Sequence, residues 1–157
     1  CSSDLPSHVT LVPIDFDEQA LMPTMERAGF DVNRQTVVVW EGVTQYISAT
    51  AVDSIFRALS ESGVNGKIVF TYIKRNVVEG TDLTAIDRKI LDFAARSGTP
   101  WIFGIDPANL ESYLEERDLS LLEQVGPTDY RERYLDPVGR DMNLYDGERA
   151  AVGEMRR

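Results

Sequence analysis

The sequence has very little of the two residue types that most often bind metals or form cross-links. Its 157 residues include one cysteine, Cys1, and one histidine, His8. A disulfide within the chain is therefore excluded, and a zinc site of the usual Cys and His type cannot be assembled. We expect no metal site. The near absence of cysteine also fits a protein of the cytoplasm, which is the location we expect.

Positive charge and long apolar runs are also scarce. Lys and Arg number 16 against 26 Asp and Glu, so the formal net charge is −10. Binding to nucleic acid or to an anionic membrane surface depends on clustered Lys and Arg, which this chain lacks. No apolar run is long enough to cross a bilayer. We therefore expect neither a nucleic-acid partner nor a membrane partner.

Several catalytic sequence patterns are missing as well. The chain contains no GxxxxGK[ST] phosphate loop, no GxSxG elbow, and no GxGxxG that follows a strand. No nucleophile stands beside a base at a recognisable spacing, so we assign no catalytic residue.

What the sequence does contain is an alternation of strands and helices over short connections. This alternation predicts a single α/β domain over residues 1–157, with a mainly parallel sheet and helices on both faces. The predicted strands are His8–Phe16, Thr36–Gly42, Gly66–Ile73, Leu119–Gly126 and Glu148–Met155. The predicted helices are 18–28, a segment from Ser48 or Thr50 to near Gly63, 82–97, one that Asp106 and Pro107 open, and 129–135.

Acidic residues stand at the ends of two predicted strands, where α/β sheets bind their ligands. Asp15 with Phe16 suits a purine, because the carboxylate can accept from an exocyclic amine while the ring packs on the base. Alternatively, Asp15 or Asp17 only caps the next helix. Glu41, followed by Gly42, either faces a cationic ligand or is a solvated turn residue.

Four further residues are candidates for contact with a substrate. Tyr46 either lines the same cleft or packs on the sheet. Tyr72, Lys74 and Arg75 form a polar and cationic group at the end of the third predicted strand. They either orient an anionic substrate, with Arg75 making paired hydrogen bonds, or are ordinary surface residues.

The order of the motifs resembles the leucine carboxyl methyltransferase family, most closely its bacterial branch of S-adenosyl-L-methionine-dependent methyltransferases. The resemblance extends from about His8 to the C-terminus. It rests on LVPIDF, AGFDVNRQTVVVWEGVTQYIS, GKIVFTYIKR, WIFGIDP and LEERDLSLLEQVG. It implies a truncated Rossmann-like methyltransferase fold, in which this chain corresponds to the C-terminal portion from the family's third strand onward.

The resemblance also implies a cofactor and its contacts. The cofactor would be S-adenosyl-L-methionine, with Asp15 and Phe16 at the adenine and Glu41 close by, so we expect Asp15 and Glu41 to face a shared hollow. The reaction would be methylation of a carboxyl or hydroxyl group on a small-molecule or protein substrate. The family's glycine-rich cofactor loop has no counterpart here, and we therefore expect the chain by itself to be inactive.

Truncation has a structural consequence if the family order of strands holds. The His8–Phe16 strand must detach, pair directly with the Thr36–Gly42 strand, or find another chain. Each outcome leaves or reshapes an open sheet edge, so we expect a tendency to self-associate. Two other functions remain open: a catalytically silent Rossmann-like interaction subunit, and a different nucleotide-binding Rossmann protein.

Overall fold

The computed structural model describes residues 6–155, and Cys1 lies outside that range. The helices are α1 (Leu21–Arg27), α2 (Ala49–Glu61), α3 (Arg75–Val78), α4 (Ala85–Arg96), α5 (Leu110–Glu115) and α6 (Pro127–Tyr130). The strands are β1 (Thr36–Trp40), β2 (Gly66–Ile73), β3 (Leu119–Val125) and β4 (Glu148–Met155). Short 3-10 turns cover Thr44–Tyr46, Pro107–Asn109 and Asp136–Val138, and a π-helical turn covers Arg131–Leu135.

Helix α2 begins and ends as its sequence predicts. The Ser48 hydroxyl accepts a hydrogen bond from the Ala51 N–H at 3.1 Å, which satisfies one of the amides left unpaired at a helix start. Apolar residues at helical spacing, including Val52 and Phe56, are fully buried. Gly63 follows the helix with a φ of +73°, a conformation that glycine adopts without strain and that reverses the chain.

The four strands form one mixed sheet in the order β1-β2-β4-β3. Strands β1 and β2 are parallel, whereas β4 runs antiparallel to both β2 and β3. The prediction of a mainly parallel sheet is therefore wrong, since two of the three pairings are antiparallel. The chain leaves β3 and enters β4 at the same end of the sheet, with no crossover along its length, so β4 must run back between its neighbours.

The prediction of a strand over His8–Phe16 is also wrong. Residues 9–15 belong to no strand, and Leu11 is exposed. Within residues 6–155 no backbone hydrogen bond joins this segment to β1. The segment is therefore detached. Its composition favours an extended backbone locally, but a strand also needs a neighbour to pair with, and none is brought beside it.

The hydrophobic core lies on one face of the sheet. Alternate residues of β2, namely Ile68, Phe70 and Tyr72, are fully buried there. Helix α2 covers them through Phe56, whose ring centroid lies 5.1 Å from that of Phe70 and 5.3 Å from that of Trp40. Both ring pairs are edge-to-face, the arrangement that aromatic quadrupoles favour.

The other face of the sheet is open at β1. Val37 and Val39 are 65% and 67% exposed, because successive side chains of a strand point to opposite faces and only one face of β1 meets the core. Only one face of β1 is therefore buried. The expectation of helices on both faces fails at the same place, since no helix among the described residues covers these two valines.

Among residues 6–155 no helix combines the length and the apolar character needed to cross a membrane.

Candidate functional site

Three strands end at the same edge of the sheet. Strands β1 and β2 are parallel, and β2 and β3 both run antiparallel to β4, so β1, β2 and β3 point the same way. Their carboxyl ends meet the beginning of β4, where Lys74 N donates to the Gly147 carbonyl at 2.8 Å. This edge is where α/β sheets place their ligands.

The loop after β1 is fastened to β2 at this edge. The Gly42 N–H donates to Thr71 Oγ1 at 2.9 Å, and the buried Thr44 hydroxyl donates to the Thr71 carbonyl at 2.9 Å. Gly42 has a φ of +68°, so a side chain there would be strained. These bonds leave Glu41 exposed at the tip of β1.

The loop that carries Asp15 is joined to the same region. The Ser48 hydroxyl, which caps α2, donates to Asp17 Oδ1 at 2.6 Å. Asp15 itself shapes this loop, because its Oδ1 accepts from the Asp17 N–H at 3.0 Å and its carbonyl accepts from the Gln19 N–H at 2.8 Å. The alternative that Asp15 or Asp17 caps the next helix is wrong, because the residue before α1 is Ala20 and no side chain caps it.

Phe16 is half-buried and packs against the core, and Asp15 beside it is exposed. Four of the cavities among residues 6–155 are not lined by Asp15, Phe16 or Glu41. The expected hollow shared by Asp15 and Glu41 is therefore not among them, and the assignment of these three residues to a cofactor stays a prediction.

The four substrate candidates lie in different surroundings. Tyr46 is exposed, in the turn after β1, and Arg75 is exposed at the start of α3. Tyr72 is fully buried in the core, where its hydroxyl donates to Gln124 Oε1 at 2.9 Å; burial raises the pKa of Tyr72 to about 12. The Lys74 ammonium pairs with Asp146 Oδ2 at 2.8 Å. Of these four residues, Lys74 alone lines one of the four cavities named above.

A buried polar cluster beside Lys74 was missed in the sequence. The Asp87 carboxylate is 4% exposed and accepts from the Thr84 amide and hydroxyl at 2.7 and 2.6 Å and from the Tyr145 hydroxyl at 2.8 Å. The spacing of Thr84 and Asp87 is that of a helix capping box and was visible in the sequence. Tyr145 lies 58 residues from Asp87 in the sequence, and no local sequence pattern predicts the contact between them.

The negative charge of Glu41 affects the pKa of Tyr130, at the end of α6. Burial raises the pKa of Tyr130, and the negative charges of Glu148 and, more weakly, Glu41 add to that effect. The described residues 6–155 hold no group of three or more His, Cys, Asp or Glu side chains arranged for a metal ion.

Residues 2–60 match the family model for leucine carboxyl methyltransferase. The resemblance to that family is confirmed. The matched range includes Asp15, Phe16 and Glu41, whereas the motifs after residue 60 lie outside it. No curated protein sequence matches the chain.

Two solved structures share the fold. A putative methyltransferase from Thermobifida fusca YX superposes with a TM-score of 0.56 at 19% identity, over 87% of this chain and 48% of that one. A duf574 family protein from Streptomyces avermitilis gives 0.57 at 15% identity, over 83% of this chain and 48% of that one. The chain thus spans about half the length of each. The α/β methyltransferase fold is confirmed, apart from the strand directions, the His8–Phe16 strand and the open face of β1, which are corrected above.

Proposed function

We propose that this chain is part of an S-adenosyl-L-methionine-dependent O-methyltransferase and supplies one side of its cofactor site through Asp15, Phe16 and Glu41. The hydrogen bond between Ser48 and Asp17 carries this proposal. It holds the loop of Asp15 against the chain that follows Glu41, at the carboxyl end of β1. The family match supports the same assignment, since it spans all of these residues.

The side chains suit the adenosyl part of such a cofactor. Asp15 uses Oδ1 within its own turn, and because the side chain is exposed, Oδ2 can accept from the adenine amine. Phe16 buries part of its ring in the core and offers the remainder as a flat apolar surface. Glu41 is held at a rigid strand end, where a carboxylate can accept from ribose hydroxyls.

The bound cofactor would supply a methyl group already activated by its sulfonium sulfur. The task of the protein is then to hold the acceptor in line, and such positioning can contribute about 7–11 kcal/mol in favourable cases. A carboxylate acceptor is ionised at neutral pH and needs no base, whereas a hydroxyl acceptor must lose a proton. Among the substrate candidates, Tyr46, Lys74 and Arg75 reach the surface near this edge, while Tyr72 supports the core.

The test is a pair of matched substitutions read out by cofactor binding. Asp15 and Asp31 are both exposed, and each accepts a 3.0 Å hydrogen bond from the amide two residues later. Alanine at either position removes the same kind of turn. We expect Asp15→Ala to weaken the binding of S-adenosylhomocysteine at least fivefold in an NMR titration, and Asp31→Ala to leave it unchanged.

Two results would contradict the assignment. If both substitutions weakened binding equally, Asp15 would be a turn residue only. If millimolar S-adenosylhomocysteine produced no saturable shifts near residues 15–17 and 41–48, this part of the chain would not be a cofactor site.

The exposed valines of β1 favour a second candidate, a catalytically silent subunit that binds another protein. Val37 and Val39 lie on a strand at the sheet edge and face solvent, which is typical of a covered surface whose partner is absent. A stable protein partner, together with no binding of S-adenosylhomocysteine, would favour this candidate over the enzyme.

A further inference from the structure

Two neighbouring cavities open beside α4 at the carboxyl edge of the sheet. The first has a volume of about 200 Å³ and is lined in part by Lys74, Asp87 and Tyr145. The second, of about 550 Å³, is lined in part by Pro127 and Arg131. Ile86 and Leu144 line both, so the two cavities adjoin, and we call them together the α4 cleft.

One wall of the α4 cleft is apolar, and it is held in place. Ile86, at the start of α4, is 53% exposed and faces the cleft with Leu144. The loop that carries Leu144 is tied to α4 by the bond from the Tyr145 hydroxyl to the buried Asp87. Asp87 in turn closes the capping box of the helix with Thr84. The cleft is therefore preformed, and the surface formed by Ile86 and Leu144 suits an apolar body.

The charges around the cleft oppose an anionic ligand. Lys74 and Arg131 are the two cations of its lining, against the carboxylates of Asp82, Asp87, Asp146, Glu132 and Asp136. Both cations already face carboxylates, because Lys74 Nζ lies 2.8 Å from Asp146 and Arg131 Nη1 lies 3.2 Å from Asp141. A carboxylate that entered would meet no unpaired cation in this lining and several like charges.

We propose that the α4 cleft binds the methyl acceptor as an uncharged, hydroxyl-bearing molecule with an apolar body, and that Asp146, by neutralising Lys74, disfavours carboxylate acceptors. The role as acceptor site rests on the proposed methyltransferase function. In the transfer, the hydroxyl oxygen forms the new bond to the methyl carbon as the carbon–sulfur bond breaks, and the hydroxyl proton passes to water. The selectivity of the cleft rests on its own charges and can be measured without the cofactor.

The first experiment compares two probes that share one apolar body. 3-Phenylpropan-1-ol and 3-phenylpropanoate are titrated separately into the isotope-labelled chain, and amide resonances are followed by NMR. We expect the alcohol to shift the amides of Ile86, Leu144 and Gly147 saturably, and the carboxylate to bind at least tenfold more weakly. Equal affinities, shifts located elsewhere, or no saturable shifts would overturn the proposal.

The second experiment tests Asp146 by substitution. Asp146→Asn removes the partner of Lys74, and also a weaker contact 3.6 Å from Arg149. We expect it to raise the affinity for the carboxylate probe at least fivefold and to leave the alcohol unaffected. Asp92→Asn is the matched control, because it also removes one negative charge from an exposed ion pair. Asp92 and its partner Arg96 both lie on α4. An unchanged preference in Asp146→Asn would refute its role.

A matched pair of substitutions tests the apolar wall of the cleft. Ile86→Ala should weaken binding of the alcohol at least threefold, whereas Ile102→Ala should not, since Ile102 is as exposed as Ile86 at 55% but lines neither cavity. All of these titrations omit the cofactor. If the probes do not bind the cleft, the cofactor assignment is therefore unaffected. If S-adenosylhomocysteine does not bind, the probe titrations still decide the selectivity of the cleft.

Discussion

At the scale of single residues, buried polar groups hold distant parts of this chain together. Asp87 joins α4 to the loop before β4 through Tyr145, and Tyr72 joins β2 to β3 through Gln124. Each bond spans more than 50 residues of sequence. Since a buried polar group without a partner is costly, these bonds select one arrangement of the elements as well as stabilising it.

The stability that Asp87 contributes should depend on pH. Burial acts to raise its pKa, but hydrogen bonds from Thr84 and Tyr145 outweigh burial, so the pKa of Asp87 lies below its ordinary value. With an unfolded pKa of about 3.9, the contribution is fully present above that pH and is lost as the pH falls through the lower folded value. We expect Asp87→Asn to cost about 1–3 kcal/mol at pH 7 and to flatten the loss of stability in acid.

Urea unfolding at a series of pH values from 3 to 7 measures this effect. Asp92→Asn is the control, because Asp92 lies on the same helix but is largely exposed. If the wild type and Asp87→Asn lost stability in parallel as the pH fell, the buried carboxylate would not be the source.

The hydroxyl of Tyr72 should matter for stability in the same way. Tyr72→Phe leaves the partly buried Gln124 Oε1 without its donor, so we expect a loss of about 1 kcal/mol in the free energy of unfolding. Tyr46→Phe removes an exposed hydroxyl and should change it by less than about 0.5 kcal/mol. Equal effects in thermal or urea unfolding would contradict the structural role of Tyr72.

At the scale of secondary-structure elements, local patterns located most of the structure. Strand β2 has the bounds that its β-branched run predicts, and α2 begins at its predicted serine cap. The His8–Phe16 segment was predicted equally clearly and is not a strand. Its residues favour an extended backbone, but pairing depends on a neighbouring strand that the local sequence cannot specify.

Strand β1 has consequences for association, because it lies at the edge of the sheet with Val37 and Val39 exposed. We propose that this edge causes self-association at high concentration. Val39→Lys should reduce it, since a lysine opposes edge-to-edge pairing. Ile102→Lys, at a site 55% exposed away from the strands, should reduce it less. Sedimentation equilibrium measures the difference, and equal behaviour of the two variants would show that β1 is not the contact.

At the scale of the whole molecule, the chain is an α/β unit that spans about half the length of two proteins of similar fold. Its carboxyl edge gathers the tip of β1, the end of β2 and the cleft beside α4. Asp15 and Glu41 are exposed on this unit, and four of the cavities among residues 6–155 are lined by neither of them. A cofactor held only by exposed side chains such as these would remain largely in contact with water.

We accordingly expect the chain alone to bind S-adenosyl-L-methionine weakly and to show no measurable methyl transfer. The physical reason is that few contacts repay the loss of translational and rotational freedom when the ligand remains largely in water. Calorimetric titration checks this expectation. A dissociation constant in the micromolar range, or turnover with any acceptor, would contradict it.

The sequence by itself determined the fold class, most element boundaries and the family likeness, because these depend on periodicity, capping residues and short motifs that are read within a few residues. Only the tertiary structure decided the antiparallel return of β4, the exposure of β1, the burial of Tyr72 and the contact of Tyr145 with Asp87. Each of these depends on which segments become neighbours in space. That choice is made by packing and by pairing of buried polar groups across distant parts of the chain.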